Sequence, residues 1–209
     1  MFLKVCGVTR AADAVVAARL GFNAIGMVFA ESPRRVEPDQ ARAIARSVPA
    51  GPLKVGVFVN EERREVERLM KYCGLDLVQL HGEEDASYVA HFAGRAIKSL
   101  APGPDFDDAL LETFPGCFAF LLDSRDPLRR GGTGKPADWD AAARLARQHR
   151  IILAGGLTPS LAARAILAVR PFGLDVSSGV EITPGIKDPE MMRCLLEAAG
   201  SVSPIPEVE

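Results

Sequence analysis

Ile151-Ile152-Leu153-Ala154-Gly155-Gly156, then Thr158-Pro159 and a stretch rich in Ala and Leu, then Phe172-Gly173-Leu174-Asp175-Val176-Ser177-Ser178-Gly179: the passage reads as strand, helix and strand in turn. Its two short apolar runs, each closed by glycine, have the length and punctuation of buried strands. Thr158 ahead of Pro159 offers a capping side chain and then a proline suited to a first helical turn. Two strands joined through a helix lie parallel, and parallel strands this apolar must be covered on both faces.

Outward from this unit the same alternation fills the chain. Apolar runs at 3–6, 24–29, 55–59, 75–80, 96–100 and 118–122 join those at 151–154 and 172–176 to make eight. Helical spacing separates them. Val66, Leu69, Met70 and Cys73 recur at i, i+3, i+4 and i+7, as do Met192, Leu195, Leu196 and Ala199, and both stripes are expected to face the core. Asp188-Pro189 marks a further helix start, Asn60 is expected to cap a helix opening at Glu61-Glu62, and Gly21, Gly74 and Gly94 are expected to close helices. Eight strands, each followed by a helix, predict an α/β fold: a single-domain (β/α)8 TIM barrel over residues 1–200, with 201–209 as a frayed tail. An open doubly wound sheet is the rival, and eight regular units at near-minimal length favour closure.

Composition narrows the function. Hydrophobic residues at 48% and charged residues at 25% of 209 fit one globular domain rather than a disordered chain. The net charge of −2 and the lack of a dense Lys/Arg run point away from nucleic acid. Lys4 interrupts the first apolar run, which is too short for a signal peptide or a membrane span, so no membrane partner and a cytoplasmic location are expected. Cys6, Cys73, Cys117 and Cys194 lie far apart, suggesting neither a disulfide framework nor a metal site.

In a barrel of this kind the active site lies at the C-terminal strand ends, with phosphate bound after the seventh and eighth strands. Those last two ends carry Gly155-Gly156 and Ser177-Ser178-Gly179, which let backbone N–H groups and hydroxyls approach an anion; glycines there also serve as plain turn formers. Cys6 closes the first strand and is followed by Gly7, whereas Cys73, Cys117 and Cys194 fit small core residues. Asp123 follows Phe120-Leu121-Leu122 at the rim, as a pocket carboxylate or a loop cap. His81 is a pocket donor or a loop stabiliser, and His91 and His149 are expected on the surface. Gly131-Gly132-Thr133-Gly134-Lys135 is not a nucleotide P-loop, because Arg129 and Pro136 stand where that motif needs Gly and Ser/Thr; a loop able to close over substrate is the better reading.

Several of these motifs together resemble the phosphoribosylanthranilate isomerase family. They are Lys4-Val5-Cys6-Gly7-Val8-Thr9, Ser32-Pro33-Arg34, Val55-Gly56-Val57-Phe58-Val59-Asn60, Val78-Gln79-Leu80-His81-Gly82-Glu83, Leu122-Asp123-Ser124, Gly131 to Lys135, Asp138-Trp139, Asp175 to Glu181 and Pro184-Gly185-Ile186-Lys187-Asp188. The resemblance runs in order from the first strand to the last helix. It implies an Amadori rearrangement in tryptophan biosynthesis, converting N-(5-phosphoribosyl)anthranilate to 1-(2-carboxyphenylamino)-1-deoxyribulose 5-phosphate without cofactor or metal. It further implies Asp123 as general acid, Cys6 as general base and Arg34 as the partner of the anthranilate carboxylate. A one-residue difference in loop conformation would exchange Arg34 with its neighbour Arg35, and Asp126 is a similar decoy for Asp123 whose Asp-Pro context suits a turn better. Asp175 is expected to contact sugar hydroxyls or order the last loop.

These roles carry expectations. The acid should titrate above its ordinary ~3.9 and the thiol below its ordinary ~8.5. The partner is a phosphorylated small molecule, and the chain a monomer or homodimer. The rivals are the histidine-pathway ribotide isomerase, which usually carries Asp where Cys6 stands, a metal-dependent sugar-phosphate epimerase, and a catalytically silent phosphosugar-binding barrel.

Overall fold

The computed structural model describes residues 1–102, 106–123 and 138–202. Its eight parallel strands are β1 (Phe2–Val5), β2 (Ala24–Val28), β3 (Leu53–Phe58), β4 (Leu77–Leu80), β5 (Ala96–Leu100), β6 (Ala119–Leu122), β7 (Ile151–Leu153) and β8 (Gly173–Val176). They pair in chain order, and β8 returns to β1 with Lys4 opposite Asp175, so the barrel is closed and the open-sheet alternative falls away.

Side chains alternate across each strand, so every second residue enters the lumen. Ala24, Val55, Leu77, Ile97, Ala119, Leu121, Ile152 and Ala154 fill it as one apolar cluster. At the N-terminal end Phe2 plugs the floor, 5.4 Å from Phe172 and 5.7 Å from Phe118 between ring centroids. Toward the other end the lumen turns polar, with Lys4, Gln79, Ser99, Asp123 and Asp175 all buried. The fold thus places its costly buried polar groups at one end.

Helices α1 (Ala11–Leu20), α2 (Pro38–Ser47), α3 (Arg63–Cys73), α4 (Ala86–Ala90), α5 (Trp139–Leu145), α6 (Pro159–Val169) and α7 (Pro189–Gly200) follow the strands. The stripe Val66, Leu69, Met70 and Cys73 is buried, and each large side chain of it contributes about 1.5–3 kcal/mol. On α7, Met192, Leu195 and Ala199 are buried. Gly21 and Gly74 close α1 and α3 at φ 100° and 70°. Asp188 caps α7 by accepting from the Glu190 and Met191 N–H groups. No helix among the described residues is long and apolar enough to cross a membrane.

Four local expectations are corrected. The element after β5 is a 3-10 helix, Asp108–Thr113, held between Pro102 and Pro115-Gly116. Asn60 caps no helix: its backbone sits at φ 50°, its Oδ1 accepts from Glu83 N at 2.6 Å, and α3 begins three residues later. Thr158 occupies the N-cap of α6, but its hydroxyl meets Ser160 Oγ rather than a backbone N–H. Cys194 is exposed on the outer face of α7 instead of serving the core. The sequence also gave no sign of the hairpin β9 (Glu181–Thr183) and β10 (Ile186–Lys187), which lies between β8 and α7. The tail expected at 201–209 lies outside the described residues from 203 onward, as do Ser124, Asp126 and the loop at 131–134.

Candidate active site

Period-two alternation puts Lys4 and Cys6 on the same, inward face of β1 and its extension, and Cys6 N continues the ladder to Val176 O at 2.8 Å. Lys4 Nζ meets Asp175 Oδ1 at 2.9 Å inside the barrel. Facing them on β2 is Gly26, where a Cβ would stand 2.8 Å from Cys6 Sγ and 3.2 Å from Lys4 Nζ. Thiol and ammonium therefore share the space that this glycine leaves open.

The thiol departs from expectation. Burial pushes Cys6 above its ordinary range, aided by Asp175, and the opposing pull of Lys4 and Lys187 does not overcome it. Asp175 is raised as well, by burial first and then by the charge of Asp123, against the attraction of Lys4. For Lys4 the largest influence is burial, which lowers it, yet Asp175 and Cys6 together carry it above the ordinary value. Asp175 thus serves first as the lumen partner of Lys4.

Asp123 extends β6, its N–H bonded to Leu100 O at 3.1 Å, and is 9% exposed. Across from it stands His81, with Nε2 at 3.6 Å from Asp123 Oδ2. Burial, with help from Lys4 and Lys98, lowers His81 to about 4, so the ring is neutral near pH 7. Gln79 Nε2 lies 2.9 Å from His81 Nδ1; an amide nitrogen only donates, so Nδ1 accepts and the ring proton sits on Nε2, toward Asp123. Beneath, Glu84 accepts from Lys98 Nζ at 2.7 Å and from the Asn60 and Gly82 N–H groups, fixing the turn that carries His81.

The two final turns touch each other. The backbone passes through φ 82° at Gly155 and 64° at Gly156, and a Cβ on Gly179 would stand 1.8 Å from Leu157 O. Ser177 is half-buried and Ser178 exposed, opening a 3-10 turn, Ser178–Val180.

Arg34 crosses the mouth with its stem on the bare Cα of Gly7, where a Cβ would meet its Cδ at 2.4 Å. Its guanidinium grips Glu181 in two-pronged fashion, Nε to Oε1 at 2.9 Å and Nη2 to Oε2 at 2.7 Å. Glu181 also accepts from Lys187 Nζ at 2.7 Å, and that ammonium reaches Cys6 O at 2.5 Å and Ser177 O at 3.3 Å. Arg35, its sequence neighbour, points outward to Glu37. The structure therefore brings Cys6, Arg34, His81, Asp123, Asp175, Gly155, Gly156, Ser177, Ser178 and Gly179 to one end of the barrel. It adds Lys4, Gln79, Glu181 and Lys187, to which motif and spacing alone assign no role. A signal existed: a lysine two residues from Cys6 on an apolar strand shares its face and must find a buried partner.

Fold and polar mouth together define the class, a (β/α)8-barrel enzyme with its groups gathered at the C-terminal strand ends. The chain belongs to the N-(5'-phosphoribosyl)anthranilate (PRA) isomerase family, whose sequence model matches residues 3–198. It is similar to the N-(5'-phosphoribosyl)anthranilate isomerase of Syntrophus aciditrophicus, 44% identical over 99% of this chain and 90% of the relative. Among solved structures it resembles the phosphoribosyl anthranilate isomerase of Thermus thermophilus, 37% identical with a TM-score of 0.86 over 96% of this chain and 99% of that one. A further phosphoribosyl anthranilate isomerase, solved with reduced 1-(o-carboxyphenylamino)-1-deoxyribulose 5-phosphate, is 33% identical with a TM-score of 0.85, over 97% of this chain and 100% of that one.

Proposed function

We propose that Cys6 and Asp123 are the base and acid with which this chain isomerises N-(5'-phosphoribosyl)anthranilate in tryptophan biosynthesis. The observation that carries the assignment is their common setting. Both close barrel strands at the same end, and both couple to the buried Lys4–Asp175 pair. The bound analogue in a relative supports a phosphorylated aminosugar as the ligand.

The chemistry follows from these positions. Asp123 gives a proton to the furanose oxygen as the bond from C1′ to that oxygen breaks, and the anilino nitrogen supplies the electron pair that forms the C1′ iminium. Cys6, as thiolate, takes the C2′ proton; the electrons of that C–H bond form the C1′=C2′ double bond and neutralise the nitrogen. The resulting enolamine gains a proton at C1′ and loses one from the C2′ hydroxyl, leaving the ketone. Burial keeps Cys6 as the thiol before the ring opens, so the thiolate that must act as base is scarce. The iminium supplies the missing positive charge, so deprotonation is tied to ring opening. The neutral His81 donates its Nε2 proton toward Asp123 once that carboxyl is ionised. Gly155, Gly156, Ser177, Ser178 and Gly179 offer backbone and hydroxyl donors to the phosphate, and Arg34 offers a planar fork to the anthranilate carboxylate.

The test follows loss of anthranilate fluorescence with substrate generated in situ. Wild type turns over; Cys6→Ser and Asp123→Asn each lose at least ~10²-fold in kcat. Full activity in Asp123→Asn removes the acid assignment. A wild type that binds the reduced product analogue without turnover returns the reading to a silent barrel.

A further inference from the structure

The charges around Arg34 do not balance within their own cluster. Arg34, Glu181 and Lys187 form one connected group with an excess of one positive charge. Glu181 remains a carboxylate: burial works against it, but the hydrogen bonds from Arg34 and Lys187 hold it below its ordinary range. Lys187 has no N–H to offer a ligand, because its three donors go to Cys6 O, Ser177 O and Glu181 Oε1. The excess charge is presented through Arg34 alone.

Arg34 has a particular edge left to present it. A guanidinium carries five N–H groups. Glu181 takes Nε–H and one N–H of Nη2, leaving two on Nη1 and the second on Nη2 without a hydrogen bond to any described residue. The second N–H of Nη2 and one of Nη1 lie along the end of the fork, the edge that matches a second carboxylate, and the other N–H of Nη1 faces back toward Cδ. The stem is held on Gly7, next to Cys6, so the fork is fixed at both its root and one side.

We propose that Glu181, held by Lys187, is a positioning residue that locks the Arg34 fork so that its outer edge receives the substrate's aromatic carboxylate, and thereby sets the preference for carboxylated over uncarboxylated anilino substrates. The inference rests on the assignment of Arg34 to that carboxylate. It predicts that Glu181 acts on binding, and only through Arg34.

The experiment is a double-mutant cycle on the full chain with Glu181→Gln, Arg34→Ala and both together. Each is assayed with N-(5-phosphoribosyl)anthranilate and with the phosphoribosylaniline that lacks the carboxylate. In Glu181→Gln, KM for the anthranilate substrate rises about tenfold, the worth of one charge-assisted hydrogen bond, with a smaller change in kcat. The preference over the aniline substrate falls by the same factor, and the Arg34→Ala background shows no further change. Additive effects in the double variant, or a lower KM in Glu181→Gln, overturn the role of Glu181 while leaving Arg34 in place. An Arg34→Ala enzyme with KM and preference intact overturns the Arg34 assignment itself. Should Glu181→Gln fail to fold with Lys187 unpaired, Glu181→Gln with Lys187→Gln removes both charges and gives the same readout.

Discussion

Lys4 and Asp175 meet inside the barrel at one register of the β1–β8 seam, Nζ 2.9 Å from Oδ1, with side chains 0% and 9% exposed. An ion pair in that setting is held at a desolvation cost, and removing one partner leaves a buried charge alone. The pair sits below Cys6, so the same ammonium that answers Asp175 also favours the thiolate.

Lys4→Met therefore acts twice. It costs about 3–5 kcal/mol of stability by orphaning Asp175, and Lys4→Met with Asp175→Leu recovers much of that loss. It also removes a group that lowers the Cys6 thiol, so alkylation of Cys6 by iodoacetamide moves to higher pH in Lys4→Met, and by less in the double variant, where Asp175, which raises the thiol, is lost as well. The charges facing this thiol are Lys4 on its own strand, Asp175 on β8, Lys187 on β10 and Arg34. An unchanged alkylation profile in Lys4→Met shows that Lys4 does not tune the thiol.

His81 supplies a prediction of opposite sense. Its folded value, about 4, lies below the ordinary 6.5, so the unfolded chain binds the proton first. The neutral ring's contribution is whole above pH 6.5 and is lost as pH falls from there to about 4. Urea denaturation across that window shows a stability decline that His81→Asn reduces. Ring nitrogen shifts in a labelled sample report Nε2–H at pH 6; an imidazolium at that pH contradicts the buried neutral ring.

The barrel is legible because burial on both faces leaves the strands as mainly apolar runs, readable even where Lys4, Gln79, Ser99 or Asp175 interrupts them. The same logic failed where polar groups answer each other at long range. Glu181 and Lys187 lie near the C-terminal end of the sequence, and nothing local says that they converge on Arg34, 147 residues from Glu181. The direction of the Cys6 shift is hidden from the sequence for a related reason: motif and position suggest activation, whereas the sign depends on how deeply the sulfur is buried. Arg34 and Arg35 could be separated only by the turn in which Arg34 N bonds Ser32 Oγ and sends its neighbour outward.

Glu84 and Lys98 form a second buried pair, 2.7 Å apart, under the His81 turn. Burial raises Glu84, but Lys98 and the Asn60 N–H outweigh it and hold the carboxyl below its ordinary 4.5. Its stabilising contribution is present above pH 4.5 and is lost as pH falls through the folded value. Glu84→Gln unpairs Lys98 and costs about 3–5 kcal/mol near pH 7, with a flatter acid limb in thermal melts. Parallel acid limbs in the two proteins count against the pair as the source.

Gly179 marks the point where the two final turns press together, and a Cβ there stands 1.8 Å from the carbonyl oxygen of Leu157, which is backbone and cannot rotate aside. Gly179→Ala must therefore push the turn after β8 away from the turn after β7. Overpacking of this kind costs about 1–3 kcal/mol. Because the displaced atoms are those assigned to phosphate, KM rises at least ~10-fold, by the loss of one or two anion hydrogen bonds, and inhibition by inorganic phosphate weakens in parallel. Gly200→Ala, at the end of α7 with nothing within 4 Å, is the control; it leaves both constants alone and gains up to ~1 kcal/mol from helix propensity. Steady-state kinetics and melting of the two variants separate the claims: a Gly179→Ala enzyme that is destabilised yet binds substrate and phosphate normally would move the anion seat elsewhere in the mouth.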